Sequence, residues 1–190
     1  QAMITADAYK LRLAQGDTEG LAHEYTIDGD APVLPVTISK VEEMAPGLTR
    51  YELSDPDGKS LPEWTAGGHI DIVVAPEFLR QYSLAGDPAD RSKYVIGVLR
   101  EDGGKGGSLL LHRIFSEGRK IFISKPINHF PVAETTGKHW LMGGGIGVTP
   151  MIAMAHELHA QGRDFALHYS FSKRVGAGFL AELADVPWKD

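Results

Sequence analysis

The 190-residue sequence contains no cysteine. That absence removes disulfides, thiolate nucleophiles and thiolate-ligated iron-sulfur clusters from the chain, so any such cluster must reside elsewhere. Long hydrophobic runs are missing too. Although 43% of the residues are hydrophobic, no apolar stretch approaches the ~20 residues that span a bilayer, and no membrane span is expected. Nor is there a block of like charge. A net charge of -6 without a clustered basic face argues against nucleic-acid binding. The eight histidines show neither H-x-H nor H-E-x-x-H spacing, so no metal site is expected. There is no nucleophile elbow and no convincing acid–base pair. The opening "QAMITADAYK" lacks the basic stretch and apolar core of a secretory signal, which makes the cytoplasm the expected location.

What is present changes character twice along the chain. Residues 1–32 are polar and weakly patterned, an N-terminal extension of unknown role. Residues 33–132 carry short β-rich runs: "VLPVTISKVEEM", "LTRYELS", "HIDIVVA", "QYSLAG", "KYVIGVLRE" and "KIFISKP". Turn residues such as "DPDGK", "GDPAD" and "EDGGKGG" separate them, a spacing that fits an antiparallel sandwich or barrel. One helix, "GSLLLHRIFSEG", interrupts the strands. Residues 137–190 then alternate strand, helix, strand, helix as "HWLMGG", "PMIAMAHELHAQG", "DFALHYS" and "GFLAELA", the first part of a parallel α/β domain.

The junction "HWLMGGGIGVTPMIAMAHEL" joins a strand to a helix through glycines. Thr149 is the expected N-cap, Pro150 the first helical residue and Gly162 the C-terminal stop. Unpaired N–H groups and the positive end of the helix dipole then face whatever lies over Gly145 to Val148, which suits a phosphate. The G-x-G-x-x-G fingerprint is incomplete, because Pro150 stands where the third glycine belongs. By itself the turn therefore reads either as a dinucleotide cradle or as a ligand-free tight turn.

The preceding region adds "RQYSLAGDP", an arginine, a tyrosine and a serine on one strand, with alternation placing Arg80 and Tyr82 on the same face. With "GGKGGS" and "GGGIGVTPM" following in order, the sequence resembles the ferredoxin reductase superfamily, in its phthalate dioxygenase reductase and vanillate demethylase reductase branch. The resemblance implies a β-barrel flavin-binding domain followed by an incomplete α/β, Rossmann-like nicotinamide-binding lobe. It implies FMN held by Arg80, Gln81, Tyr82, Ser83 and Val98 and by the loop residues Lys105, Gly106, Gly107 and Ser108. Tyr82 and Ser83 are the implied catalytic pair, packing along the isoalloxazine and reaching its N5. His69 and Asn128 to Phe130 are implied to shape the flavin edge. Gly144, Gly145, Gly147 and Thr149 are implied to hold NAD(P)H, with Ser170, Ser172, Lys173 and Arg174 near its adenosine ribose.

Those implications describe an NAD(P)H-dependent flavin oxidoreductase, the reductase component of an oxygenase system. Electrons would leave through an iron-sulfur domain or subunit toward a terminal oxygenase. The resemblance stops before the end of the nicotinamide domain and the cysteine-ligated 2Fe-2S domain of complete relatives. Either a C-terminal portion or a partner chain in a hetero-oligomer is therefore expected beside the apolar strand "HWLMGG". The alternative is an FMN-binding or cofactor-free structural subunit of a multi-component monooxygenase whose partners complete the redox site.

Overall fold

The computed structural model describes residues 34–75, 78–101, 103 and 106–189. The extension at 1–32 and Lys105 lie outside the described residues.

Strand β1 (Leu34–Ala45) turns at Gly47, whose φ of 76° is left-handed, into β2 (Leu48–Ser54). In β2, Tyr51 and Leu53 point inward while Arg50, Glu52 and Ser54 face outward, the period-two pattern of a half-buried strand. β3 (Gly68–Ala75), β4 (Phe78–Ala85), β5 (Tyr94–Leu99) and β6 (Lys120–Ile123) follow. Antiparallel pairing runs β4–β5–β2–β1–β6–β3, and β3 pairs back with β4, so the sheet closes into a six-stranded barrel. Closure leaves none of these six strands as a bare edge. A two-residue strand, β7 (Ile127–Asn128), adds to β3.

Val36, Ile38, Leu53, Ile70, Ile72, Leu84, Ile96 and Ile123 are fully buried in the barrel. Helix α1 (Gly107–Ile114) plugs it with Leu111, and Phe115 beyond the helix meets Tyr51 edge to face at 5.8 Å. β5 breaks the alternation: Tyr94 to Val98 are all buried. One of its faces meets the barrel core and the other is covered by the second lobe, which requires a continuous apolar run.

That lobe begins with β8 (His139–Gly144), a 3-10 turn (Gly145–Gly147) and α2 (Val148–Ala160). β9 (Phe165–Ser170) then pairs in parallel with β8, and a single turn of helix, α3 (Leu180–Leu183), follows. The lobe docks through a shared cluster of Ala85 and Val95 from the barrel with Val148, Ile152 and Phe179. The Glu157 carboxylate of α2 accepts the Ala66 N–H at 2.9 Å. No helix among the described residues is long and apolar enough to cross a membrane.

The ends of α2 both inform and correct the sequence reading. Gly162 has φ 65° and donates to the His159 carbonyl, while Arg163 N–H reaches Leu158 O at 2.9 Å, the paired closure expected at a glycine stop. The start differs. Gly147, not Thr149, occupies the N-cap position, because the 3-10 turn feeds directly into the helix at Val148. Thr149 instead donates its hydroxyl back to the Ile146 carbonyl at 3.0 Å. Pro150 remains in the first turn, where its missing N–H costs nothing.

Candidate functional site

Arg80, Gln81, Tyr82 and Ser83 are consecutive on β4, and all four line a cleft of about 330 Å³ between the barrel and the α/β lobe. Three other segments complete it. Gly97 and Leu99 come from β5 with Glu101 just beyond it, Gly107 and Ser108 from the start of α1, and Ile146, Gly147, Thr149 and Pro150 from the glycine turn and α2. Four stretches separated by up to 70 residues therefore meet because the barrel closes and the lobe docks on β5.

The phosphate-like corner is built from a cation and a helix end. Gly106 opens α1 with φ 86° and no side-chain cap, and there is no acid in the first turn. Its N-terminal N–H groups are thus available to an anion. The Arg80 guanidinium lies over this turn, so closely that a Cβ on Gly107 would come within 2.5 Å of its Nε. Its Nη1 also donates to the Leu79 carbonyl at 2.8 Å. Ser108 Oγ accepts the Glu101 N–H at 3.1 Å, which ties the loop shut and leaves the hydroxyl hydrogen to donate.

Arg80 and Tyr82 are half-buried while Gln81 between them is exposed, as alternation requires. Burial pushes the Tyr82 phenol up to about 12, opposed by the nearby Arg80 charge. Tyr82 is therefore a neutral aromatic wall with an O–H to donate, and not a base. Val98 differs from its neighbours Gly97 and Leu99: its side chain is fully buried in the barrel core, and its carbonyl lies 3.2 Å from His112 Nε2.

A second hollow of about 690 Å³ lies on the other side of the glycine turn, lined by Gly144, Gly145, Ser170, Phe171, Ser172, Lys173, Val175 and Gly176. Arg174 sits between the lining residues Lys173 and Val175 and is exposed. The turn itself can approach a ligand closely, since a Cβ on Gly145 or Gly147 would meet open space. No family model matches the chain. Individual proteins do. The reductase subunit of tert-butanol monooxygenase / tert-amyl alcohol desaturase from Aquincola tertiaricarbonis is 39% identical over 156 residues, covering 82% of this chain and 46% of that protein. Phthalate dioxygenase reductase from Burkholderia cepacia is 38% identical over 157 residues, 82% of this chain and 49% of that one.

Among solved structures, phthalate dioxygenase reductase superposes with a TM-score of 0.77 at 38% identity, over 82% of this chain and 49% of that chain. That protein is described as a modular structure for electron transfer from pyridine nucleotides to a 2Fe-2S centre. Over this stretch the chain belongs to the ferredoxin reductase superfamily. An intact type IV self-sufficient cytochrome P450 monooxygenase carries the same superfamily fold, with a TM-score of 0.75 and 34% identity over 90% of this chain and 23% of its own. The chain spans about half the length of the curated relatives it matches.

His69 and Asn128 to Phe130 are not among the residues that line the cleft, but His69 borders it as the cross-strand partner of Ser83. His69 Nε2 lies 3.3 Å from Gln81 Nε2, and its ring is 5.6 Å from that of His129. Asn128 Nδ2 donates to Thr65 Oγ1 at 2.7 Å and to the Ala66 carbonyl at 2.9 Å, and its Oδ1 accepts the Phe130 N–H. Asn128 thus shapes a loop, and Phe130 turns toward Trp140 and Met142 in a separate groove.

Sequence reasoning passed over two glycines on which the cleft depends. A Cβ on Gly97 would strike Ile146 Cδ1 at 2.8 Å and Phe179 Cε2 at 2.9 Å, and one on Gly143 would lie 2.7 Å from Val148 Cα. Gly97 had a usable signal, a lone glycine inside the strand "YVIGVL", which marks close approach of another part of the chain.

Proposed function

We propose that the chain binds FMN in the interlobe cleft, receives hydride there from NAD(P)H, and passes electrons singly to an iron-sulfur domain or subunit serving a terminal oxygenase. The observation that carries this reading is the convergence of Arg80–Ser83, of Gly107 and Ser108, and of Ile146, Gly147 and Thr149 on one cleft. Residues 33–132 form the FMN domain in this reading and 137–190 the first part of the nicotinamide domain. Bound FMN supplies the exchange between two-electron and one-electron chemistry.

The chain's own residues hold and orient. Arg80 and the first-turn N–H groups of α1 grip the phosphate, aided by the Ser108 hydroxyl. Tyr82 packs along the ring system, and Ser83 offers its hydroxyl to the ring edge that takes the hydride. Across the cleft, the glycine turn and the start of α2 receive the coenzyme pyrophosphate. Thr149 contributes by pinning that turn through its bond to Ile146 O. Catalysis is then positioning and electrostatics, without an acid–base side chain.

The test is direct. The purified chain, reconstituted with FMN, is expected to show a flavin spectrum that NAD(P)H bleaches under anaerobic conditions. A chain that takes up no flavin refutes the reading; one that takes up flavin but is not bleached refutes its nicotinamide half.

A further inference from the structure

We propose that Phe179 is a positioning residue: its ring, wedged against β5 beside the glycine turn, fixes the height of that turn above the barrel and so the spacing at which coenzyme and flavin meet. The wedge itself follows from the packing, and its effect on spacing rests on the reading above. Phe179 lies outside the cleft lining, yet it touches the backbone of one lining residue and shares its space with another. Ring atoms Cε2 and Cζ come within 2.9 and 3.0 Å of the place a Cβ would take on Gly97, and Ile146 Cδ1 comes within 2.8 Å of the same place. Gly97 is part of the barrel side of the cleft and Ile146 part of the glycine turn. The two sides of the cleft therefore meet over one bare stretch of β5, with the Phe179 ring packed into the same gap.

The backbone is arranged to put that ring there. Phe179 is the one non-glycine residue with positive φ among those described, at φ 63° and ψ 4°, and it opens α3 without a side-chain cap. Glycine or asparagine would take this left-handed position more readily than a bulky aromatic. The segment is held from several directions. A Cβ on Gly178 would collide with Leu48 Cδ2, so the chain passes close against the start of β2. The Gly178 backbone is hydrogen-bonded to the Tyr169 side chain of β9. On the far side, Glu182 of α3 reaches Arg50 at 3.4 Å, and Arg50 is the cross-strand partner of Gly97. The left-handed turn thus delivers the ring to the strand that its own helix also grips.

Spacing at this seam matters because hydride transfer is steep in distance. Reacting atoms need to approach to about 3–3.5 Å, and a misplacement of ~1 Å can cost about 100-fold in rate. The flavin half of the cleft is built on β4 and α1, which do not touch the ring. The glycine turn is different: Val148 and Ile152, at the start of α2, are fully buried in the same cluster as Phe179. A smaller side chain at 179 should therefore let the turn and α2 shift against β5 and leave the flavin half in place.

Two measurements on Phe179→Leu test this. Hydrogen exchange in the flavin-free chain should quicken at the amides from Val148 to Ile152 relative to those of β2. Equal acceleration in both regions, or none, means that the ring only fills space and overturns the wedge without reference to any cofactor. In the FMN-reconstituted chain, released-flavin fluorescence should show unchanged occupancy, while the rate constant of anaerobic flavin reduction at saturating NAD(P)H falls at least roughly tenfold. The amplitude of bleaching counts folded, loaded molecules and the rate constant does not, so a smaller amplitude at an unchanged rate constant overturns the spacing role. Gly97→Ala pushes on the same gap from the barrel side and should give both signatures with Phe179 intact. If Phe179→Leu does not fold, Gly97→Ala decides, and normal exchange and rate in it overturn the proposal. A wild type that holds flavin but is not bleached removes the nicotinamide half of the reading and the spacing role together, with the exchange result still deciding the wedge.

Discussion

The barrel and the α/β lobe solve the same problem in opposite ways. Every one of the six barrel strands has a partner on both sides, and its core is filled from within by alternating residues and the α1 plug. Among the described residues the lobe has a two-stranded sheet with α2 on one face, while Trp140 and Met142 on the other face are 62% and 74% exposed. Trp140 stacks on His168 and has the Lys138 ammonium 5.5 Å from its ring. The lobe completes its own core by borrowing barrel residues, Ala85 and Val95 against Val148, Ile152 and Phe179. The candidate site sits on that borrowed interface. Its barrel half lies mainly on strands, and its lobe half on a turn whose position depends on docking.

The largest test of this contrast is Phe179→Ala. Phe179 is buried to 1% exposure, touches Gly97, and holds an unfavourable φ of 63° to do so. Truncating it should cost about 3–5 kcal/mol, the range for a large aromatic removed from a core. Trp64 reports from the barrel and Trp140 and Trp188 from the lobe, so urea melts followed by fluorescence and near-ultraviolet dichroism read both. One shared transition moving to lower urea is expected. A barrel transition that stays in place while the lobe melts early would show that the two are energetically independent.

The next test sits on the barrel half of the cleft. Arg80→Ala should weaken FMN binding by ~2–4 kcal/mol, as for truncating one partner of a buried charged hydrogen bond. Tyr82→Phe keeps the aromatic wall and should cost less. Gly107→Ala falls between them: its Cβ collides with the flexible end of Arg80, displacing the guanidinium without deleting it. Released-flavin fluorescence measures all three. Equal occupancy in wild type and Arg80→Ala would remove the phosphate role assigned to this corner.

The strands were legible because their chemistry is local. "LTRYELS" announces its buried face by alternation, and Gly162 announces the end of α2 by the backbone it permits. Interactions between distant segments were not legible. Nothing in "RQYS" says that Arg80 will rest on Gly107, 27 residues later, and nothing near Thr149 says that its hydroxyl will turn back to Ile146 instead of capping the helix. The charge cluster around Arg50 was equally silent, since Arg50 pairs with Glu52 of β2 and Glu182 of α3, and Lys93 from the segment before β5 pairs with the same Glu52. Barrel closure and lobe docking create these contacts, and neither leaves a periodic trace.

The smallest test probes the polar part of the same seam. Arg50 contacts Glu52 at 2.5 Å on its own strand and Glu182 of α3 at 3.4 Å, while Lys93 reaches Glu52 at 3.2 Å. Burial pushes the Glu52 carboxyl up, but Arg50 and Lys93 together hold it below 4.5. Its stabilisation is present above that value and is lost as pH falls below it. Glu182 has the opposite sign. Burial raises it above 4.5, and Arg50 offsets only part of that rise. The folded state then binds this proton more tightly than the unfolded state, so its contribution is fully present below 4.5 and is lost as pH rises through the folded value. Glu182→Gln keeps the shape and removes the charge. At neutral pH it should be neutral or stabilising by no more than ~1 kcal/mol, and it should flatten the decline in stability above pH 4.5. Urea midpoints of wild type and variant at pH 4.5 and at neutrality decide the sign. A variant that is clearly less stable at neutrality would mean that attraction to Arg50 outweighs burial, and that charge pairing helps to hold the lobe on the barrel.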